Sequence, residues 1–328
     1  MTTKLDILRF LHAAAMRGQD RALIVLTDVV HRGTRDPGTL MAIAIDGSSC
    51  GTLSNGCVEA AIIGEAIRVM ASGRAELLRL GAGSRLIDIR LPCGGGMDLL
   101  ILPNPSVSAV DHAVSELLAR RGVGLRASLE GALTATELTT RAPGWHSGDF
   151  QVDVLPDLRL VIVGTGLETT SLARLSNAYG AYTTVLSPDR EAIEAAMELG
   201  STVAWLKTPD RSQLLRADKQ TAVIFLFHDH DWERALIQKA LEEPAFFVGA
   251  MGSRITHARR VEILLEHGVA ASDVQRLVGP IGLIGGARDP DTLALSVLSQ
   301  VVAAYHLSNR RDGDQESRVT ALPTGDEA

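Results

Sequence analysis

The sequence lacks several features that whole classes of proteins require. Its 328 residues include only three cysteines, Cys50, Cys57 and Cys93, and no CxxC pair. We therefore expect neither a disulfide framework nor a structural zinc site. The low cysteine content instead predicts a reducing, cytoplasmic location. No long Lys/Arg run occurs, and the net charge is −7, so nucleic acid is not an expected partner. No apolar run has transmembrane length, and the first residues do not form a signal peptide, so no membrane partner is expected.

What remains is typical of a globular protein with two domains. Hydrophobic residues make up 46% of the chain and charged residues 22%, which is enough for a sizeable core. We expect a mixed α/β domain over residues 1–105, opened by an amphipathic helix. A connector with a helix follows over 106–156, and its Gly- and Pro-containing stretch 141–157 is predicted to be a linker.

The second domain is predicted over residues 157–308, followed by a polar tail over 309–328. Apolar strands such as LRLVIVG, TAVIFLF and PAFFVGA alternate here with helical segments. Such alternation favours a Rossmann-like, doubly wound parallel sheet. The fold class is therefore α/β, with a mixed N-terminal domain and a parallel C-terminal one.

The motif VGTGLET, residues 163–169, lies where the first strand of the second domain turns into a helix. Gly164 and Gly166 occupy positions where a dinucleotide site needs a tight turn and close approach to a pyrophosphate. Thr169 replaces the usual third glycine, and Ser187 stands where an acid would bind the ribose. The motif predicts the Rossmann fold but disfavours NAD(P), and a scaffold without nucleotide is the alternative.

The sequence FHDHD places His228 and Asp229, then His230 and Asp231, at the carboxyl end of a predicted strand. Open α/β sheets bind ligands at this end of their strands. The four side chains could bind a metal or orient an imidazole against a carboxylate. The alternative is that Asp231 caps the next helix and the histidines are exposed loop residues.

Two further segments are rich in glycine. VGAMGSR lies at the end of a predicted strand, and GPIGLIGGARDPD precedes the last predicted helix. In the first, backbone amides, Ser253 and Arg254 suit a phosphate or carboxylate. The alternative is a serine N-cap followed by a surface arginine. The second segment, residues 279–291, is a loop that could close over a ligand, and its Asp289-Pro290 pair predicts the start of the last helix.

Two of the cysteines lie beside glycines at predicted turns. Cys57 follows Gly56 at a helix start in GTLSNGCVE, where the helix dipole favours a thiolate. Cys93 lies in the PCGGG turn, where a ligand can approach the backbone closely. Cys50 lies in a predicted strand and is assigned to packing. Packing is also the alternative for the other two.

Together these stretches resemble the XdhC/CoxI family, the accessory proteins of xanthine dehydrogenase and related molybdenum hydroxylases. GTLSNGCVE is similar to the family's Gly-x-x-Ser-Gly-Gly-Cys-x-Glu segment, with Asn55 in place of a glycine. PCGGGMDLLILP is similar to its Cys-Gly-Gly element. The four glycine- or histidine-containing motifs of the second domain match the family's Rossmann half.

The resemblance implies a protein that binds molybdenum cofactor (molybdopterin). It would support sulfuration of the cofactor and its insertion into xanthine dehydrogenase or a related hydroxylase, with a cysteine desulfurase as a further partner. We therefore expect a chaperone and not an enzyme with turnover of its own. A homo-oligomer, such as a dimer, is also expected, because the apolar surface of the first helix and the unpaired strand edges would be covered in one.

The resemblance also implies two sets of cofactor-binding residues. In the first domain the predicted set is Ser54, Asn55, Gly56, Cys57, Glu59, Cys93, Gly94 and Gly95, with Cys57 and Cys93 as thiolates towards molybdenum. In the second domain it is Gly164, Gly166, His228, Asp229, Gly249, Gly252, Ser253, Arg254 and Gly282. The alternative function is an NAD(P)-dependent oxidoreductase that uses the Rossmann domain, and a third is a scaffold that only docks partners.

Overall fold

The computed structural model describes residues 2–30, 35–54, 56, 58–82, 84, 95–139, 141–209, 211–228 and 232–309. They form two compact units: one extends from Thr2 to Pro156, and the other begins at Asp157. Within these residues, no helix has both the length and the apolar character needed to cross a membrane.

The N-terminal unit contains three helices and two antiparallel sheets in its described part. Its elements are α1 (Lys4–Met16), β1 (Arg21–Val30), β2 (Leu40–Ala44), β3 (Ser49–Cys50), α2 (Glu59–Ser72), β4 (Glu76–Gly81), β5 (Gly96–Pro103), α3 (Val107–Leu118), β6 (Val123–Ser128), β7 (Leu133–Thr136), β8 (Gly144–His146) and β9 (Asp149–Val154). The amphipathic first helix is confirmed, and so is the hairpin that joins β2 to β3.

The first sheet has the strand order β3-β2-β1-β5-β4 and is covered on both faces. Leu23 and Val25 of β1 contribute to one core, with α1 and α3. Ile24 and Leu26 contribute to the other, with α2. Because successive side chains of a strand point to opposite faces, a strand covered on both sides has a continuous apolar sequence. Strand β4, the partner of β5, was not predicted, and residues 85–94 lie outside the described part.

The segment expected to be a connector holds more structure than its sequence indicated. After α3 it forms a second sheet, in the order β7-β6-β9-β8. Phe150, Val152 and Val154 of β9 are buried in the core that α1 and α3 also share. The linker predicted over 141–157 is therefore wrong for β8 and β9. The period-two pattern of β9 was masked by the Gly, Pro and Ser residues before it.

The C-terminal unit alternates strands and helices as the sequence predicted. Its elements are β10 (Arg159–Gly164), α4 (Gly166–Tyr179), β11 (Tyr182–Ser187), α5 (Arg190–Glu198), β12 (Thr202–Trp205), β13 (Thr221–Leu226), α6 (Glu233–Glu242), β14 (Phe247–Ala250), α7 (Arg254–Glu266), α8 (Ala271–Val274), β15 (Leu277–Val278) and α9 (Pro290–Ser308). The sheet is parallel throughout, in the order β12-β11-β10-β13-β14-β15. This order confirms the Rossmann-like fold.

The strand order reverses between β10 and β13, and a crevice opens at the carboxyl ends of the strands at such a point. The two strands approach each other closely there because Gly164 has no side chain. A Cβ on Gly164 would lie 2.5 Å from the carbonyl oxygen of Leu226. The fold thus brings the turn after β10 and the segment after β13 to one edge of the sheet.

Candidate functional site

A cavity of about 490 Å³ lies at the carboxyl edge of the C-terminal sheet. Its walls include Glu168 in the first turn of α4, Phe227 and His228 after β13, and Met251, Gly252 and Thr256 at the β14–α7 junction. The loop between β15 and α9 supplies the remaining wall, including residues 284–289. The cavity lies where an open α/β sheet binds its ligand.

The glycine turn after β10 bonds to the protein itself. Gly166 has a left-handed φ of +71°, and its amide donates to Asp189 Oδ2 at 3.2 Å. The other oxygen of Asp189 accepts from the amide of Glu191 at 3.0 Å and so caps α5. The buried Ser187 accepts from the amide of Asp189. Ser187 occupies the position that binds a ribose in dinucleotide sites. Here it bonds to the amide of Asp189, and the carboxylate of Asp189 bonds to the glycine turn.

Thr169 and Glu168 also lie at this turn, and Glu168 adds a second carboxylate to it. Thr169 is fully buried, and its hydroxyl donates to the carbonyl of Thr165 at 3.0 Å. The side chain at the position of the third glycine therefore forms a hydrogen bond within the turn. Glu168 Oε1 lies 3.4 Å from His228 Nε2. Two carboxylates therefore lie beside the amides that a pyrophosphate would use, which is unfavourable for a second anion.

At the β14–α7 junction, the predicted residues of VGAMGSR have different roles. Gly249 is needed for packing, because a Cβ there would lie 2.5 Å from Ile281 Cγ2. Gly252 lines the cavity. The hydroxyl of Ser253 accepts from the amide of Thr256 at 3.0 Å, so Ser253 is the N-cap of α7. Arg254 is exposed and does not line the cavity.

A buried ion pair holds the β14–α7 junction against α6. The guanidinium of Arg260 donates two hydrogen bonds to Glu233, both of 3.0 Å, and one to the carbonyl of Met251 at 3.1 Å. Both charged side chains are almost fully buried. Helix α6 begins at Glu233 with Trp232 as its N-cap residue. His230 and Asp231, the latter predicted to cap this helix, lie outside the described residues.

The loop between β15 and α9 is anchored to α9 by two side chains. The amide of Gly282 donates to Gln300 Oε1 at 2.6 Å, and the amide of Ile284 donates to Ser296 Oγ at 2.7 Å. Asp289 accepts from the amide of Thr292 and caps α9, with Pro290 in the first turn, as predicted. Of the predicted residues in this unit, His228, Gly252 and Gly282 line the cavity.

Sequence reasoning missed three polar residues that line the cavity, namely Glu168, Thr256 and Arg288. Glu168 and Thr256 each lie in the first turn of a helix that follows a strand. The rule that ligands bind at strand ends could have identified them if it had been extended one turn into each helix. Arg288 lies in the glycine-rich loop, of which only Gly282 was predicted to bind the cofactor.

In the N-terminal unit, the loop before α2 is organised by Glu59. Its Oε1 accepts from the hydroxyl of Thr52 and the amides of Leu53 and Ser54, and its Oε2 accepts from the hydroxyl of Ser54 and the amide of Val58. Burial opposes ionisation, but the hydrogen bonds from Ser54 and Thr52 outweigh it and lower the pKa of Glu59 to about 2. The amide and hydroxyl of Ser54, predicted to bind an external anion, thus bind this internal one.

Of the three cysteines, Cys50 lies within the described part of the chain. Cys50 is half-buried against the core of α1 and α3, and burial, together with Asp6, raises the pKa of its thiol. Cys57, Cys93, Asn55, Gly94 and Asp229 lie outside the described residues. Gly56 is exposed with a φ of +100°, and the carbonyl of Gly95 accepts from the amide of Ala82 next to β5. Over the described ranges, no three His, Cys, Asp or Glu side chains are grouped so as to hold a metal.

The fold defines an α/β protein with an N-terminal unit that holds two antiparallel sheets and a Rossmann-like C-terminal unit. Residues 14–81 match the model of the XdhC and CoxI family, and residues 160–301 match that of the XdhC Rossmann domain. The chain belongs to the XdhC and CoxI family.

Two proteins from Escherichia coli K12 and one solved structure are similar to the chain. The molybdenum cofactor insertion chaperone PaoD is 35% identical over 306 residues, which cover 93% of this chain and 90% of PaoD. The uncharacterized protein YqeB is 23% identical, and the match covers 89% of this chain but only 45% of YqeB. A crystal structure from Bacillus halodurans, described as a xanthine dehydrogenase, aligns with a TM-score of 0.73 at 20% identity over 94% of this chain and 98% of that one. This last likeness concerns the fold.

Proposed function

We propose that this protein carries molybdenum cofactor and delivers it to the apo form of a molybdenum hydroxylase. The observation that carries the proposal is the match to a molybdenum cofactor insertion chaperone over nearly the full length of both chains. A match confined to the Rossmann part would support only a fold, because one fold hosts many functions.

The cavity of the C-terminal unit fits a ligand of this kind. Small-molecule sites occupy ~300–1,000 Å³, and the cavity here is about 490 Å³. Its polar groups include the imidazole of His228, the hydroxyl of Thr256, the guanidinium of Arg288 and the amides of a glycine-rich loop. When bound, the cofactor brings a phosphate, a dithiolene and a molybdenum centre that the client enzyme uses for hydroxylation.

The residues of this chain would bind, orient and shield the cofactor. Arg288 and the neighbouring amides suit the phosphate, and Thr256 can donate or accept a hydrogen bond from the first turn of α7. Phe227 and Met251 provide apolar surface for a ring system. Cys57 and Cys93 are proposed as thiolate ligands for molybdenum, as the family resemblance implies.

Three finer features belong to the same proposal. The protein would support sulfuration of the cofactor, with a cysteine desulfurase as the source of sulfur. It would act in the cytoplasm, and it would form a homo-oligomer, such as a dimer. Xanthine dehydrogenase or a related enzyme would be the client.

The decisive experiment is purification from a host that makes molybdopterin, followed by metal analysis and absorption spectroscopy. We expect molybdenum and pterin to co-purify with the protein, and the loaded protein to activate a purified apo-hydroxylase. The matched control is the same protein from a host that cannot make the pterin. Absence of molybdenum and pterin from the wild-type protein, together with tight binding of NAD, would replace the chaperone with an NAD(P)-dependent oxidoreductase.

A further inference from the structure

We infer that the C-terminal unit binds the phosphate group of its ligand at the loop of residues 285–288, and not at the glycine turn after β10. The proposed ligand class is an organic phosphate monoester. The inference rests on the proposed function, because the cavity is taken as the cofactor site, and it adds the point at which the cofactor's phosphate binds.

The first observation is a set of free donors in the cavity wall. Gly285, Gly286, Ala287 and Arg288 all line the cavity. Among the residues that the structure describes, the amides of Gly285, Gly286 and Arg288 donate to no protein acceptor, and the amide of Ala287 closes a turn on Ile284. Unpaired backbone amides in a concave wall are donors that suit phosphate oxygens.

The second observation is that Arg288 lies in the same wall and is free to pair with an anion. Its guanidinium makes no ion pair with any carboxylate of the described part of the chain. Arginine binds phosphate through two parallel N–H donors, and such charge-assisted bonds are about twice as strong as neutral ones. Arg288 therefore adds both charge and direction to the amides.

The third observation is that the loop is already held in place. Its anchors are the bonds from Gly282 to Gln300 and from Ile284 to Ser296. A loop that is fixed before binding loses less conformational entropy when the ligand arrives. Gly286, with a φ of +71°, permits the turn that follows the second anchor.

The glycine turn after β10 differs from this loop, because carboxylates lie beside its amides. Its amide at Gly166 donates to Asp189, and Glu168 lies in the same first turn of α4. Two further acids lie near the loop: Asp289, which also lines the cavity, caps α9 through Thr292, and Asp291 pairs with Arg174 at 2.6 Å. Of the two glycine-rich segments, the loop at 285–288 is the one whose glycines line the cavity beside a cation.

The test compares FMN with riboflavin, which differ only in a phosphate monoester, by flavin fluorescence anisotropy on the full chain. The wild type should bind FMN more tightly than riboflavin by about tenfold or more, which corresponds to ~1.4 kcal/mol or more. Arg288→Gln should reduce this ratio to near one and leave riboflavin binding unchanged. Inorganic phosphate should displace FMN only at much higher concentration than the unlabelled monoester ribose 5-phosphate, which separates an organic ester from free phosphate.

Two variants serve as controls. Arg259→Gln removes an equal charge from an exposed position on α7 that does not line the cavity, and it should keep the wild-type ratio. Asp189→Asn removes a negative charge beside the glycine turn. If the phosphate binds at 285–288, this variant changes the ratio by less than twofold. A several-fold increase with Asp189→Asn, or an unchanged ratio with Arg288→Gln, would overturn the inference, as would equal binding of both flavins by the wild type.

The outcome is separable from that of the proposed function. Cofactor that co-purifies equally well with the wild type and with Arg288→Gln, alongside an unchanged flavin ratio, would refute the phosphate site and leave the chaperone intact. A flavin ratio that depends on Arg288 in a protein that never carries molybdenum would do the reverse.

Discussion

The amide of Gly166 donates to Asp189 Oδ2 at 3.2 Å, so the glycine turn of this Rossmann unit is closed by a carboxylate of the same chain. A pyrophosphate would have to displace this bond and approach a negative charge. We therefore expect no NAD or NADP binding in the micromolar range by titration calorimetry. Asp189→Asn should increase affinity for NAD, because asparagine still caps α5 but carries no charge.

The control for this prediction is Glu191→Gln, which removes a charge from the same helix while its amide remains bonded to Asp189. It should leave NAD binding unchanged. Micromolar binding of NAD by the wild type, lost in Gly166→Val, would contradict the prediction and support an oxidoreductase.

Glu59 is expected to stabilise the N-terminal unit in a way that depends on pH. Because the folded-state pKa of about 2 lies below the usual value of 4.5, its contribution is complete above pH 4.5 and is lost as the pH falls towards 2. The shift corresponds to at most ~3 kcal/mol, and because solvent screens this partly exposed carboxylate, Glu59→Gln should lower the free energy of unfolding at pH 7 by roughly 2 kcal/mol. Urea denaturation at pH 7 and pH 3 measures both values, and the difference between variant and wild type should shrink at pH 3.

Glu65→Gln is the matched control, since Glu65 lies on the same helix and pairs with the half-exposed Arg68 at 2.8 Å. Surface pairs of this kind contribute ~0–1 kcal/mol, so the control should show a small, weakly pH-dependent effect. Equal losses in the two variants at both pH values would show that Glu59 does not organise the loop.

The pair of Arg260 and Glu233 is expected to be the most sensitive ion pair among those described in the C-terminal unit. Removing one partner of a buried pair leaves the other uncompensated and costs ~3–5 kcal/mol. Arg260→Met should therefore lower stability by about 3 kcal/mol in chemical denaturation, whereas Arg259→Met should change it by less than about 0.5 kcal/mol. Because the pair also holds the carbonyl of Met251, a cavity-lining residue, Arg260→Met should weaken cofactor retention as well.

The thiols can be tested by alkylation and mass mapping. We expect Cys57 to react faster than Cys50 near neutral pH, because a helix start favours a thiolate while burial raises the pKa of Cys50. Bound molybdopterin should protect Cys57 and Cys93, and Cys57→Ala and Cys93→Ala should reduce cofactor retention. Slow labelling that the cofactor does not change, with normal retention by both variants, would assign these cysteines to packing.

Local signals in the sequence identified much of the fold. The continuous apolar strands and their alternation with helices predicted the parallel C-terminal sheet, because strands covered on both faces need apolar residues throughout. The caps at Ser253 and Asp289 were visible for a similar reason, since a cap depends on residues three positions apart. The linker prediction failed at β9, where a short strand is stabilised by a distant core and not by its own neighbours.

For the candidate site, the sequence by itself determined the residue types at the strand ends: glycines, His228, Ser253 and the glycine-rich loop before α9. Only the tertiary structure decided which of their hydrogen-bonding groups are free. Asp189 lies 23 residues from Gly166 in sequence, and only the pairing of β10 with β11 and the start of α5 bring the two together. Glu59 likewise uses the donors of Ser54 because the chain reverses before α2. Whether an amide binds a ligand or the protein depends on such contacts, which residue types and spacing do not specify.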